Sequence, residues 1–218
     1  MHLTKITFPL LHLRARDGHK LRGYFAEKFG EESDLFHNHD AEGKAIYRYP
    51  RIQYKVIQGM PMILGIEEGS QLLVERFLQL KVVDIEGVRM PLEQKNLNSC
   101  EVMVGVREAL FNYQFLNPWM AVNQRNYEEF INMPEIEQQR KLQTILISNM
   151  IAFFKAIGHQ ERQRILVNVQ VQQTTQTYFK DKRMLAFRGR FTTNVELPDH
   201  IGFGKATARG FGAIEQIL

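Results

Sequence analysis

The chain has 218 residues, 44% of them hydrophobic and 24% charged, with a formal net charge of +4. That length and balance exclude a disordered or fibrous chain and suit one large domain or two small ones with real cores. A single cysteine, Cys100, excludes a disulfide framework and a thiolate metal cluster. No apolar run approaches the length of a transmembrane helix. The first apolar stretch is broken by Pro9 and His12, unlike a secretory signal, so a cytoplasmic location and no membrane partner are expected.

Residues 3–13 read as a strand, followed by a polar turn and a helical pattern from Gly18 to Phe29. Residues 48–57 (RYPRIQYKVI) alternate as a strand does, with Pro50 pointing to an edge or a bulge. Gln58-Gly59 is a tight turn, 61–66 a second strand, 67–80 a helix and 81–85 a closing strand. The order β-α-β-β-α-β is the ferredoxin-like motif. A polar break, EQKNLNS, opens the second half at Glu93. Residues 101–116 are strand-rich, with Phe111, Tyr113 and Phe115 at period two, and Asn117-Pro118 ends the run. A short helix near 124–132 precedes a long one over 135–157, where Leu142, Ile145, Leu146, Asn149, Phe153 and Ile157 recur at helical spacing before Gly158. Residues 164–173, 184–195 and 211–218 complete the strands. The expectation is an α+β fold of two tandem ferredoxin-like (RRM-like) domains, 1–92 and 93–218, the second incomplete and carrying a C-terminal glycine-rich loop.

The charge is unevenly spread. Residues 43–66 hold Lys44, Arg48, Arg51 and Lys55 with no acid, and 178–209 hold seven basic residues against three acids. Either pattern suits an anionic partner or a solvated strand face. The loop GFGKATARGFG (202–212) invites comparison with phosphate cradles. A P-loop reading fails, because Asp199 stands where the first glycine belongs and Ala206 where the hydroxyl belongs. A dinucleotide fingerprint fails at Thr207. RGFG (209–212) opens like the RNP1 motif of an RRM, but Ala213 stands at its aromatic position. What remains is a loop in which Gly202, Gly204, Gly210 and Gly212 let backbone N–H groups approach a phosphodiester while Lys205 and Arg209 supply charge. The alternative is a tight connection that needs positive φ.

His37 and His39 in FHNHD lie two apart, so in extended chain both rings fall on one side. Imidazoles titrate near neutrality and suit proton transfer at a ribose 2′-hydroxyl or a leaving 5′-oxygen. The same letters also suit two surface histidines, or half a zinc site with Asp40 and no cysteine pair. Tyr47, beside Lys44 and Arg48, suits either a strand aromatic or an orienting group for RNA. Lys55, Arg188 and Arg190 are further candidates for the RNA backbone.

The ending PDHIGFGKATARGFGAI (198–214) resembles the glycine-rich loop of the CRISPR-associated repeat-cleaving endoribonucleases of the RAMP superfamily. KLRGYFAEKFG (20–30), DLFHNHDAEGKAIYRYPRIQYKVI (34–57), FLNPWMAVNQRNYEEF (115–130), ILISNMIAFFKAIG (145–158) and FRGRFTTNVELPDHIG (187–202) resemble the branch found in some subtype I and III systems. The resemblance implies two ferredoxin-like domains and cleavage of CRISPR precursor RNA within repeats. It implies His37 and His39 as the acid–base pair, Tyr47 as an active-site residue, and no metal or cofactor. The 2′-hydroxyl would attack its own phosphorus, leaving a 2′,3′-cyclic phosphate and a 5′-hydroxyl. Repeat RNA is the implied partner, with effector-complex subunits and a second copy of the chain as further ones. The rival within the superfamily is a non-catalytic RNA-binding subunit, against which FHNHD argues.

Overall fold

The computed structural model describes residues 1–38, 42, 44, 46–123, 126–179 and 182–217, the side chains of 177–179, 182 and 183 excepted. It divides into two compact bodies, one made of Met1–Val102 with Ala208–Gly210, the other of 103–207 and 211–217.

The first body contains β1 (His2–Thr7), α1 (Gly18–Phe29), β2 (Ile52–Ile57), β3 (Met60–Ile66), α2 (Glu68–Arg76), β4 (Val82–Ile85), β5 (Val88–Pro91) and β6 (Asn96–Glu101). Its main sheet has the order β2-β3-β1-β6 with antiparallel neighbours. Pro50 lies just before β2, which is an edge strand, where a missing N–H costs no ladder bond. Gln58 and Gly59 join β2 to β3 with φ of 50° and 85°, the pair of left-handed residues that a two-residue hairpin of matching twist requires.

Leu21, Phe25 and Phe29 form the buried stripe of α1, four residues apart. Phe25 meets Tyr54 of β2 at 5.5 Å between ring centroids. Phe29 stacks on Phe36 at 5.3 Å. Phe36 ends a short 3₁₀ turn, Asp34–Phe36, capped by the Ser33 hydroxyl, which accepts from the Leu35 N–H at 3.2 Å. Burying a phenylalanine contributes about 1.5–3 kcal/mol. Phe36 is 1% exposed, so it pins the chain that follows α1 to the core one residue before His37.

The fourth place in this sheet differs from the expected one. β4 does not close it; β4 pairs with β5 in a separate two-stranded ribbon, and β6 takes the edge beside β1. β6 reads NLNSCE and is mostly exposed, so it carries no apolar alternation to betray it. Its anchors are the backbone ladder and a hydroxyl chain in which Thr4 Oγ1 lies 2.8 Å from Ser99 Oγ and 2.6 Å from Ser70 Oγ. The first body therefore extends to Val102, past the 92/93 boundary.

The second body contains β7 (Gly105–Phe115), α3 (Tyr127–Ile131), α4 (Glu135–Ala156), β8 (Val167–Phe179), β9 (Lys182–Glu196) and β10 (Ile214–Ile217), in the sheet order β10-β7-β9-β8. This repeats the strand order of the first sheet. Among the described residues no α-helix joins β9 to β10; a 3₁₀ turn, Thr207–Arg209, is the only helical element there. α4 buries Leu142, Leu146, Met150 and Phe153. Gly158, with φ of 71°, follows its end. Tyr113 and Phe115 of β7 stack on Phe191 and Trp119, and the fully buried Trp119 donates its Nε1–H to Asn149 Oδ1 at 3.2 Å. No helix of the described residues is long and apolar enough to cross a membrane.

Candidate functional site

In the first body the residues around His37 are held from several sides. The Phe36 anchor sets the backbone, and the His37 N–H donates to Asp34 O at 3.2 Å. The ring lies over Gly30, with Nε2 3.2 Å from the Gly30 carbonyl oxygen. A carbonyl only accepts, so the bond requires the proton on Nε2. The neutral ring then keeps its lone pair at Nδ1. A Cβ built on Gly30 would lie 2.7 Å from His37 Cδ2, so glycine leaves the ring its place. His37 is half-buried.

The next turn is fixed by Arg48. Its Nη2 lies 2.9 Å from Asp34 Oδ1, and its Nε donates to Asn38 Oδ1 at 3.1 Å. Asn38 adopts φ of 52°, and its carbonyl accepts from the Ile46 N–H at 2.9 Å. Arg48, a sequence candidate for RNA, thus clasps two protein acceptors beside the histidine loop. Lys44 is exposed and paired with Glu42 at 2.6 Å, and Tyr47 is 99% exposed, its ring open to solvent. His39 and Asp40 lie outside the described residues.

Lys55 differs most from its expected place. It is fully buried, opposite Met62 in the β2–β3 ladder, and its Nζ has no hydrogen-bond partner among the described residues. Burial pulls its ammonium down to about 7. An enclosed amine of this kind does not present charge to an RNA backbone.

Sequence reasoning passed over Arg22. From α1 its Nη2 donates to the His37 carbonyl oxygen. Burial, and then the charge of Arg209, lower its pKa, and burial lowers that of Arg209 as well. Arg209 belongs to the same body, and its carbonyl oxygen approaches Gly18 so closely that a Cβ there would stand 2.9 Å away. Gly210, also in this body, is buried with φ of 94°. The available signal was positional: Gly18 and Arg22 are one turn apart on α1, next to the Leu21–Phe25 stripe rather than opposite it.

The remaining loop glycines serve packing in the second body. Gly202 is buried and bridges to Ala213. Gly204, with φ of 85°, would bring a Cβ to 2.7 Å from the Met120 carbonyl oxygen. Gly212, with φ of 63°, would bring one to 2.0 Å from Phe203 O. Lys205 is exposed, while its N–H donates to Met120 O at 3.1 Å. RGFG forms no RRM-like ring platform: Phe211 packs against the Met120, Met184 and Ala186 cluster, and Ala213 is fully buried. On β9, Arg188 donates to the Leu116 carbonyl at 3.0 Å, and Arg190 is exposed.

Both halves match family models. The Cas6b N-terminal domain covers residues 1–102 and the Cas6b C-terminal domain covers 105–217. The chain belongs to the Cas6b family. It is similar to a crystal structure of Cas6b at 32% identity and a TM-score of 0.94, with 99% of each chain covered. It is similar to a second Cas6b, a CRISPR RNA processing endoribonuclease, at 30% identity and a TM-score of 0.79 over 100% of both chains. An uncharacterized protein of Methanocaldococcus jannaschii is 26% identical over 113 residues, 52% of this chain and 77% of that one. The type IV Cas6 crRNA endonuclease Csf5, at 13% identity and a TM-score of 0.65, shares the tandem ferredoxin-like fold. Within this Cas6b chain, the first body gathers His37, Arg22, Arg48 and Arg209 into one basic neighbourhood.

Proposed function

We propose that this Cas6b chain cleaves CRISPR precursor RNA within its repeats, without a metal ion as reactant. The observation that carries the reading is the full-length likeness to a CRISPR RNA processing endoribonuclease across both bodies. The chain is an endoribonuclease. The ribose 2′-oxygen at the cut attacks the adjacent phosphorus, and the bond from phosphorus to the 5′-oxygen breaks. The products are a 2′,3′-cyclic phosphate and a 5′-hydroxyl. One group accepts the 2′-hydroxyl proton and another donates to the leaving 5′-oxygen.

His37 suits the accepting role, its backbone and ring being held in place by Asp34 and Gly30. His39 is the paired donor. Tyr47, exposed beside the loop, orients the 2′-hydroxyl or stacks on a base. Lys205, Arg190 and Arg209 contact the RNA backbone. Repeat RNA is the partner required; effector-complex subunits and a second copy of the chain extend the same reading.

Purified protein is expected to cut its cognate repeat RNA in EDTA, and a 2′-deoxynucleotide at the cut is expected to block the reaction. Cleavage of the deoxy substrate, or a strict need for a divalent ion, would falsify the mechanism. Replacing His37 and His39 together by alanine is expected to abolish cutting and preserve binding; normal cutting by that variant refutes the site.

A further inference from the structure

We infer that Arg22 and Tyr54 are positioning residues for the cleavage reaction, holding the two peptide groups on either side of His37 from α1 and from β2. The inference rests on the reading of His37 as an acid–base residue of an RNA-cleaving protein.

The peptide before His37 is held at both ends. Its carbonyl, that of Phe36, accepts from the Tyr54 hydroxyl at 3.3 Å, and its N–H, that of His37, donates to Asp34 O at 3.2 Å. The peptide after His37 is held in the same way. Its carbonyl accepts from Arg22 Nη2, and its N–H, that of Asn38, donates to the same Asp34 oxygen at 2.6 Å. A peptide group is planar, so a bond at each end fixes its orientation, and the two planes together fix the direction in which the His37 side chain leaves the backbone. Both side-chain donors stand on regular elements. Tyr54 is fully buried in β2 and packs against Phe25 of α1, and Arg22 lies three residues before Phe25 on that helix. The turn they hold is one the chain does not adopt freely, since Asn38 has φ of 52°.

Fold stability does not account for the arginine. Arg22 is half-buried, and its Nε is enclosed with no acceptor among the described residues. No carboxylate pairs with it among those residues, although Arg48, Arg51 and Arg76 in the same body each have one. A partly desolvated cation without a counter-charge lowers stability, and an apolar side chain of similar length packs without that cost. What Arg22 supplies is a donor aimed at the His37 carbonyl. Tyr54 differs from phenylalanine only in the hydroxyl that reaches Phe36 O. Different groups therefore fix the two parts of the histidine: Gly30 seats the ring, while Arg22 and Tyr54 set the main chain. Rates depend on such placement to within about 1 Å.

The test measures single-turnover cleavage and binding of cognate repeat RNA by the full chain carrying Arg22→Met, Arg22→Lys or Tyr54→Phe, each alone and combined with His37→Ala. Arg22→Met and Tyr54→Phe are each expected to slow cleavage of bound RNA about tenfold or more, the effect of a small displacement at a reacting group, with Kd within a few-fold. Arg22→Met is expected to melt no lower than the natural protein. Arg22→Lys keeps a charged donor and is expected to recover part of the rate. In the His37→Ala background neither Arg22→Met nor Tyr54→Phe is expected to cost further rate, because the group being positioned is gone. Three results overturn the inference while the role of His37 stands: natural-rate cleavage by either variant, a loss confined to Kd, or the same fold-loss with and without His37. A sharp drop in the melting temperature of Arg22→Met assigns the arginine to the fold and overturns the inference as well. If His37→Ala itself cuts at the natural rate, the reading of His37 fails and the inference falls with it.

Discussion

Gly30→Ala isolates the placement of His37 from its chemistry. The backbone there is right-handed helical, with φ of −65° and ψ of −31°, so alanine meets no dihedral penalty. The added Cβ would lie 2.7 Å from His37 Cδ2 and 2.2 Å from the Ala26 carbonyl oxygen, whereas ordinary contact begins near 3.4 Å. The ring edge must therefore retreat by about 0.7 Å, or the end of α1 must open, and either movement stretches the 3.2 Å bond from Nε2 to the Gly30 carbonyl. A displacement approaching 1 Å at a reacting group costs up to about 100-fold in rate. The expected fall in single-turnover kcat is about 10- to 100-fold, or about 1.4–2.7 kcal/mol in the barrier. Repeat-RNA affinity should stay within a few-fold, since the substitution removes no charged group. Gly23→Ala is the control: it lies on the exposed side of the same helix with nothing within 4 Å of its Cβ. That variant should gain about 0.5–1 kcal/mol of stability and cut at the natural rate. Natural-rate cutting by Gly30→Ala would refute the argument that glycine at 30 is what seats the His37 ring.

Two further predictions concern stability. Burial lowers Lys55 from 10.5 to about 7, so between those values the unfolded chain holds a proton that the folded one does not. Stability contributed by this residue is then poorest below pH 7 and improves as pH rises toward 10.5. Lys55→Met should raise the urea midpoint by a large margin at pH 6 and by clearly less at pH 9; equal gains at both would refute burial as the cause. Glu161 is the opposite case. Its carboxylate accepts backbone N–H groups of Val106, Arg162 and Gln163 at 2.9 Å each, and chiefly the Val106 and Gln163 bonds lower it to about 2. Its stabilisation is present above the ordinary value of 4.5 and is lost as pH falls through 2. Glu161→Gln should lower the melting temperature at pH 7 and leave the natural protein and variant nearly equal at pH 2; a constant difference across that range counts against the assignment.

Much of the fold was written in local pattern. The helical pattern over Gly18–Phe29 matches the bounds of α1, whose buried stripe is Leu21, Phe25 and Phe29. The hairpin at Gln58-Gly59, the period-two aromatics of β7 and the long helix α4 follow from turn chemistry and periodicity. β6 was missed because a polar edge strand owes its place to backbone hydrogen bonds, and those leave no mark on side-chain hydropathy. Lys55 was misplaced for a related reason. A lysine alternating in a strand looks like a solvated tip, and only the packing around β2 shows that it is enclosed.

The same division runs through the site. By itself the sequence determined the residue types: an FHNHD loop, a basic neighbourhood around it, and a glycine loop that fits no nucleotide cradle. These follow from composition and spacing, which are local. The tertiary structure alone decided which of those groups share a space. Arg209 is separated from α1 by almost the whole chain, yet Gly18 lets its backbone approach that helix. Gly30, a residue with no chemistry of its own, sets where His37 stands. Close approach of backbone to backbone and desolvation of charge are properties of the packed chain, so they became visible only when it was folded.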